Sequence, residues 1–293
     1  MRLSVQSATL NRASVEDVLA EIRMSARLGL SGYWAPMLAG QDSLTVLALA
    51  GREVSGIELG TAILPMPLRS PFALAMQMRT VQEVLGGRLT VALGTSHRAL
   101  VTDLFGEEWL PPLARTRRYV EELRSICSGE GERRLAGPPV IPTDILLGAV
   151  NPAMIELAAE VAEGVITWAA GEVTAALIRD TVQERRRDGS FRIVTALPVV
   201  VTDDVGAARE YVGKRLGAND RFPSYQRVLE REGVRGVAEL AVVGSENEVR
   251  DRIAGFADRG VTDFAAHPLG TDAAELRRTW DLLGSLAAEQ RSS

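Results

Sequence analysis

A chain of 293 residues, 46% apolar and 24% charged, has the composition of an ordinary globular protein and the length to bury a sizeable core. Its net charge of -5 argues against nucleic acid as the main partner, and no apolar run approaches the ~18 residues that a membrane span requires. Cys127 is the single cysteine, which excludes a disulfide framework and a cysteine metal site. The opening RLSVQSA is strand-like rather than charged and then apolar like a leader, so a cytoplasmic location is expected.

Arg2 to Ala8 reads as a first strand. Ser14 and Asp17 make a capping-box start, and Val15, Val18, Leu19, Ile22 and Ala26 line one helical face up to Gly29. Ser31 to Pro36 is a second strand ended by proline, and Ser43 to Glu53 a short apolar helix. Ile57 to Leu64, apolar and bounded by Gly56 and Pro65, reads as a buried third strand. Ser70 then caps a helix with Pro71 at its first position, Leu74, Met78, Val81 and Leu85 on its inner face, and Gly86-Gly87 at its end. Leu89 to Leu93 follows as the fourth strand, with Gly94-Thr95-Ser96-His97-Arg98 at its exit, completing a βαβ unit.

Beyond Arg98 the pattern loosens until a helix from Arg115 to Cys127, after which Ser128 to Pro142 reads as a surface loop. Strands five to eight are read at Asp144–Val150, Val165–Trp168, Phe191–Val201 and Val261–His267. Helices lie between them, one near Val173 to Arg187 and one capped by Ser245 and Glu248. Asp204 to Ala241 departs from the repeat as a helical insertion between strands seven and eight, with a loop at Arg221-Phe222-Pro223-Ser224. Eight apolar strands separated by helices predict a parallel α/β protein. The length, and the lack of a first-turn GxGxxG, favour a single (β/α)8 TIM-barrel domain over an open doubly wound sheet.

Barrels of this kind place chemistry at the C-terminal strand ends. Both histidines of the chain, His97 and His267, fall at such ends and are the candidate catalytic residues. No HExxH or paired acidic cluster suggests a metal, Ser96 lacks the GxSxG elbow of a triad nucleophile, and few carboxylates stand where glycoside hydrolysis would need them. What remains is an apolar mouth of Trp34, Met37, Leu64 and Trp168, suited to a flat aromatic ligand. Ala169-Ala170-Gly171 could present backbone N–H groups to a phosphate or be merely a tight turn.

The segment IELGTAILPMPLRSPFALAMQMRTVQEVLGGRLTVALGTSHR resembles the luciferase-like flavin and deazaflavin oxidoreductases, in particular the coenzyme F420-dependent branch related to methylenetetrahydromethanopterin reductase. The likeness continues through PAMIELAAEVAEGVITWAAG, LPVVVTDDVGAARE, PSYQRVLEREGV and GVTDFAAHPLG, in order along most of the chain. It implies a barrel that binds F420, or alternatively FMN, at its C-terminal mouth. It implies a cis peptide at Ala62-Ile63 behind the cofactor ring, ring contacts from Gly94, Thr95, Ser96 and His97, and ribityl and phosphate contacts from Ala149, Val150, Asn151, Thr167, Trp168, Ala169, Ala170 and Gly171. Hydride transfer to or from a small C=C, C=N or C=O substrate is the expected reaction, with Trp34, Met37 and Leu64 on the substrate side. An FMN-dependent monooxygenase and a non-catalytic flavin-binding barrel are the alternatives. Relatives carry an acidic residue and a histidine after the second strand where this chain has Ala35-Pro36-Met37, so no proton donor is expected from that position. The resemblance also implies a homodimer through the helices after strands two and three, with which Arg69 is compatible.

Overall fold

The protein is described from a computed structural model covering residues 1–129, 131–137, 140–186 and 189–292. Strands and helices alternate as β1 (Arg2–Gln6), α1 (Val15–Arg27), β2 (Gly32–Ala35), α2 (Ser43–Glu53), β3 (Glu58–Thr61), β4 (Leu64–Pro65), α3 (Pro71–Val84), β5 (Leu89–Gly94), α4 (Pro112–Ser128), β6 (Asp144–Gly148), α5 (Pro152–Val161), β7 (Gly164–Trp168), α6 (Glu172–Arg185) and β8 (Arg192–Val201). The insertion follows as α7 (Val205–Leu216), α8 (Pro223–Glu232), α9 (Val237–Leu240) and β9 (Val242–Gly244). The chain ends in α10 (Glu246–Asp258), β10 (Asp263–Pro268) and α11 (Ala273–Ser292).

All pairings are parallel. The order β10-β1-β2-β3-β5-β6-β7-β8 closes on itself because β8 also pairs with β10, from Asp263 opposite Val194 to Pro268 opposite Val199. The result is the (β/α)8 barrel that the strand count predicted. β8 is long because it does two jobs: Arg192–Ala196 pair with β7, and Val199–Val201 pair with β9, which carries the insertion back to the barrel. None of the helices among the described residues is long and apolar enough to cross a membrane.

Side chains alternate along each strand. Outward residues such as Leu3, Val5, Leu59, Val91 and Phe264 join the helices in one large core. Inward residues Trp34, Ala92, Leu146, Ile166, Val194, Ala196 and Ala265 fill the barrel. Its N-terminal base is closed by ions. Arg192 bridges Glu58 (2.7 Å) and Asp263 (2.7 Å), and Arg2 reaches the same two carboxylates from the rim.

Both predicted capping boxes form, Ser14 with Asp17 and Ser245 with Glu248. Several expectations are corrected. The third strand is not continuous: it breaks between β3 and β4, and the Ala62–Ile63 peptide there is cis, as the resemblance implies. α4 starts at Pro112 rather than Arg115, since a proline at a helix start gives up no hydrogen bond. For the same reason Arg221 to Ser224 is not simply a loop; Pro223 opens α8. β9 lies just beyond the insertion as read, between Ala241 and Ser245 where no element was expected, and residues 100–104 form a π-turn where no pattern was read. The expected loop from Ser128 to Pro142 includes Glu130, Pro138 and Pro139, and the helix expected to reach Arg187 ends on that residue; these lie outside the described residues.

Candidate active site at the C-terminal end of the barrel

The exits of β5, β6 and β7 are roofed by one element, α8. At its start the Phe222 ring stacks on the His97 imidazole, 3.9 Å between centroids and 4° between planes, with Tyr225 tilted at 5.3 Å and Ser224 Oγ 3.3 Å from His97 Nδ1. Midway, Arg227 Nε donates to Asn151 Oδ1 at 3.2 Å, and Arg231 Nη1 donates to the Val150 carbonyl at 2.9 Å. At its end the Glu232 carboxylate accepts from the backbone N–H groups of Gly171 (3.0 Å), Val173 (3.2 Å) and Thr174 (2.8 Å), and from Thr174 Oγ1 (2.5 Å). A negative charge at this helix start opposes the positive end of the α6 dipole.

Beneath this strap the Ile63 side chain lies across the exits of β5 and β6. A Cβ on Gly94 would fall 2.3 Å from Ile63 Cδ1 and would force that side chain to move, and one on Gly148 would fall 3.0 Å from Ile63 Cγ2, a tight approach. Ser96 and Ala169 stand at φ 62° and 50°, left-handed conformations uncommon for residues with a side chain, one just beyond β5 and one just beyond β7.

Across the mouth His267, at the end of β10, is 6% exposed. Its Nδ1 lies 2.7 Å from the Gln6 carbonyl and Trp168 meets its ring edge-on at 5.3 Å. A carbonyl only accepts, so Nδ1 carries the proton. Burial pushes the imidazole pKa down to about 4, the Gln6 carbonyl works against that shift, and Arg215 adds to it. His97 is likewise pushed down to about 4 by burial under α8. Both histidines are neutral near pH 7.

The linkage gives a test. An unfolded histidine takes up its proton below about pH 6.5 whereas buried His267 does so only near 4, so stability falls as pH drops through that window and levels off beneath it. Chemical unfolding at pH 7 and pH 4.5 is expected to show a smaller acid loss for His267→Gln than for the parent, by up to about 3 kcal/mol. Equal losses would mean that the buried imidazole is protonated with its native contacts intact.

The structure brings Ile63, Gly94, Ser96, His97, Trp168 and His267 to one end of the barrel, but not every residue expected at the mouth. Trp34 is 1% exposed and points down into the barrel, where its indole N–H donates to Ser4 Oγ at 3.0 Å and its ring packs against the Gly60 backbone. Leu64 is also 1% exposed, turned outward into the helix layer. Thr167 likewise faces outward, with its hydroxyl buried and unpartnered. Met37 stays near the mouth, its N–H on the Ile63 carbonyl at 3.3 Å. Arg69, expected to suit a partner subunit, is instead bound within the chain to Asp42, Gln77 and the Met37 sulfur. Gln6, Phe222, Ser224, Tyr225 and Glu232 were not anticipated. The alternation of Arg2, Ser4 and Gln6 with apolar Leu3 and Val5 was the available signal for Gln6; Glu232 had none. Two cavities of about 680 and 450 Å³ sit at the opposite, N-terminal end, both touching Arg2 and Ser31, away from this chemistry.

The sequence model of the luciferase-like monooxygenase family matches residues 1–263. The chain belongs to that family. Within it, the chain is 30% identical over 257 residues to a Mycobacterium tuberculosis protein named as a coenzyme F420-dependent oxidoreductase, covering 73% of this chain and 74% of that one. It is 27% identical over 220 residues to the 5,10-methylenetetrahydromethanopterin reductase of Methanolobus tindarius, covering 70% and 66%. The solved structure of an F420-dependent secondary alcohol dehydrogenase with an F420-acetone adduct shares the fold, with a TM-score of 0.80 at 16% identity over 97% of each chain.

The ring end fits a flat group: Ile63 spreads over two glycines, flanked by His97 and by the partly exposed Trp168. The α6 start does not fit a phosphate, because Glu232 holds its donors. The α5 start differs, since Asn151 makes no capping bond to its own helix.

Proposed function

We propose that this luciferase-like protein is an F420-dependent oxidoreductase that moves a hydride between the deazaflavin and a small organic C=C, C=N or C=O substrate. The observation that carries the reading is the Ile63 side chain packed against Gly94 and Gly148, in a chain 30% identical to a protein named for F420-dependent oxidoreduction. When bound, such a cofactor supplies the hydride chemistry. Ile63 supports one ring face, and Gly94 to His97 border the ring. Residues 149–151 with the α5 start hold the anionic tail, and α8 excludes water. His267 presents a neutral Nε2 on the side away from β5. The expected homodimer rests on α2 and α3, where Leu49 and Met76 are exposed, and sedimentation equilibrium reads it directly.

The family's monooxygenases favour a second reading, an FMN enzyme that consumes oxygen. Titration of the protein with F420 and with FMN, followed by cofactor fluorescence, separates the two. Saturable F420 binding at least tenfold tighter than FMN is the expected result. Preferential FMN binding, with oxygen uptake once the flavin is reduced, would replace this reading with the second.

A further inference from the structure

Gln6 is the least expected residue at the mouth and the least satisfied. Its carboxamide is 6% exposed and reaches the Ala62 carbonyl at 3.4 Å through Nε2. That carbonyl can only accept, so the amide nitrogen must face it and Oε1 must face away. Oε1 is buried with no hydrogen-bond partner. A buried acceptor left unpaired is costly, and native proteins retain one where something outside the fold completes it.

The neighbouring group also ends in an open acceptor. The Gln6 backbone carbonyl holds His267 Nδ1–H, which leaves Nε2 as a bare lone pair, and that nitrogen has no partner among the described residues. The Trp168 indole stands perpendicular to the imidazole, with the ring centroids 5.3 Å apart. Gln6 thus joins two acceptors on adjacent strands, β1 and β10, both of them facing the interior at the C-terminal end. Neither has a donor.

We propose that Gln6 Oε1 and His267 Nε2 form an acceptor-only subsite that is completed by an O–H or N–H donor of a bound ligand. A substrate hydroxyl and the imide N–H of a cofactor ring share that chemistry; a ketone, ether or ester offers nothing to it. Sites built to receive a donor discriminate strongly against analogues that lack one, because the buried Gln6 oxygen is then stranded. The subsite therefore selects the alcohol of any alcohol–ketone pair. It refines the oxidoreductase reading without depending on F420 for its test.

The chain has two histidines, so selective imidazole nitrogen-15 labelling gives two spin systems, and His267→Gln assigns them. Three probes are added separately to the protein: cyclohexanol as an O–H donor, uracil as an imide donor and cyclohexanone as an acceptor-only control. The His267 Nε2 resonance is expected to move saturably with a donor and not with cyclohexanone. A response to cyclohexanol alone assigns the subsite to a substrate hydroxyl, and a response to uracil alone assigns it to the cofactor's ring. Gln6→Met is expected to weaken the donor probe about tenfold while leaving Nδ1 protonated; should that variant misfold, Gln6→Glu, which keeps an acceptor oxygen, is expected to retain the response. No shift with either donor, or an equal shift with cyclohexanone, overturns the proposal. A parent protein that responds to donors but binds no F420 leaves the subsite standing and removes the F420 reading; the reverse pattern does the opposite.

Discussion

Arg192→Met is expected to destabilise the protein by about 3–5 kcal/mol, the cost of stranding buried charge rather than of losing a favourable pair. The guanidinium is the hub of the barrel's base. Nη1 meets Glu58 Oε1 at 2.7 Å; Nη2 meets Asp263 Oδ1 at 2.7 Å and Glu58 Oε2 at 3.2 Å. Asp263 is 2% exposed, so water cannot take over when the arginine is gone. Burial alone would push the Glu58 pKa up, but Arg192 and Arg2 outweigh it and hold the carboxyl below its ordinary range. In the parent, that depression contributes stability above the usual carboxylate pKa, and the contribution is lost as pH falls. Without Arg192 the burial effect is opposed only by Arg2 and the Thr90 hydroxyl, the lesser of the opposing contributions, so the sign reverses and stability should rise as pH falls from 7 toward 5. Chemical unfolding of both proteins across that range reads the difference. Adding Glu58→Gln and Asp263→Asn to the Met variant should recover much of the loss. A variant as stable as the parent at pH 7 would mean that Arg2 alone neutralises the base.

How far the sequence speaks depends on how local the signal is. Capping boxes and prolines at helix starts act within four residues, and those at Ser14, Ser70 and Ser245 were legible. The glycines at 94 and 148 were legible as positions, but what occupies their space, Ile63, is set by the fold. Trp34 was misjudged because β2 is buried on both faces, so its four residues carry no polar contrast to reveal which side points in. Leu64 was misjudged because the break at 62–63 interrupts the alternation, and the side chain after it turns to the helices. Gln6 was missed by an exit placed at Ala8, beyond the real end of β1. Phe222-Pro223-Ser224 holds residues that serve turns and helix starts alike, and Glu232 finds its donors about 60 positions away, where no spacing rule reaches.

That distant carboxylate carries the second large expectation. Glu232→Ala should cost about 2–3 kcal/mol, because it removes a charge-assisted cap and leaves the α6 start without its acceptor. Glu232→Gln keeps one acceptor oxygen without the charge and should cost about half as much. The consequence for the site lies at the other end of the same helix. α8 spans ten residues as one rigid element, and its first turn buries His97 beneath Phe222. Burial holds the His97 pKa down to about 4, so loosening the far end should let water in and bring that value back toward 6.5. Imidazole titration by NMR measures it, with His267, held by the Gln6 carbonyl, as an internal control expected to stay low. If stability drops in Glu232→Ala while His97 still titrates near 4, the stacked rings hold the roof by themselves, and α8 is a fixed wall rather than a strap fastened at its end. If His97 rises and His267 does not, the Glu232 carboxylate anchored at the α6 start sets how closely the roof lies over the exits of β5 and β6.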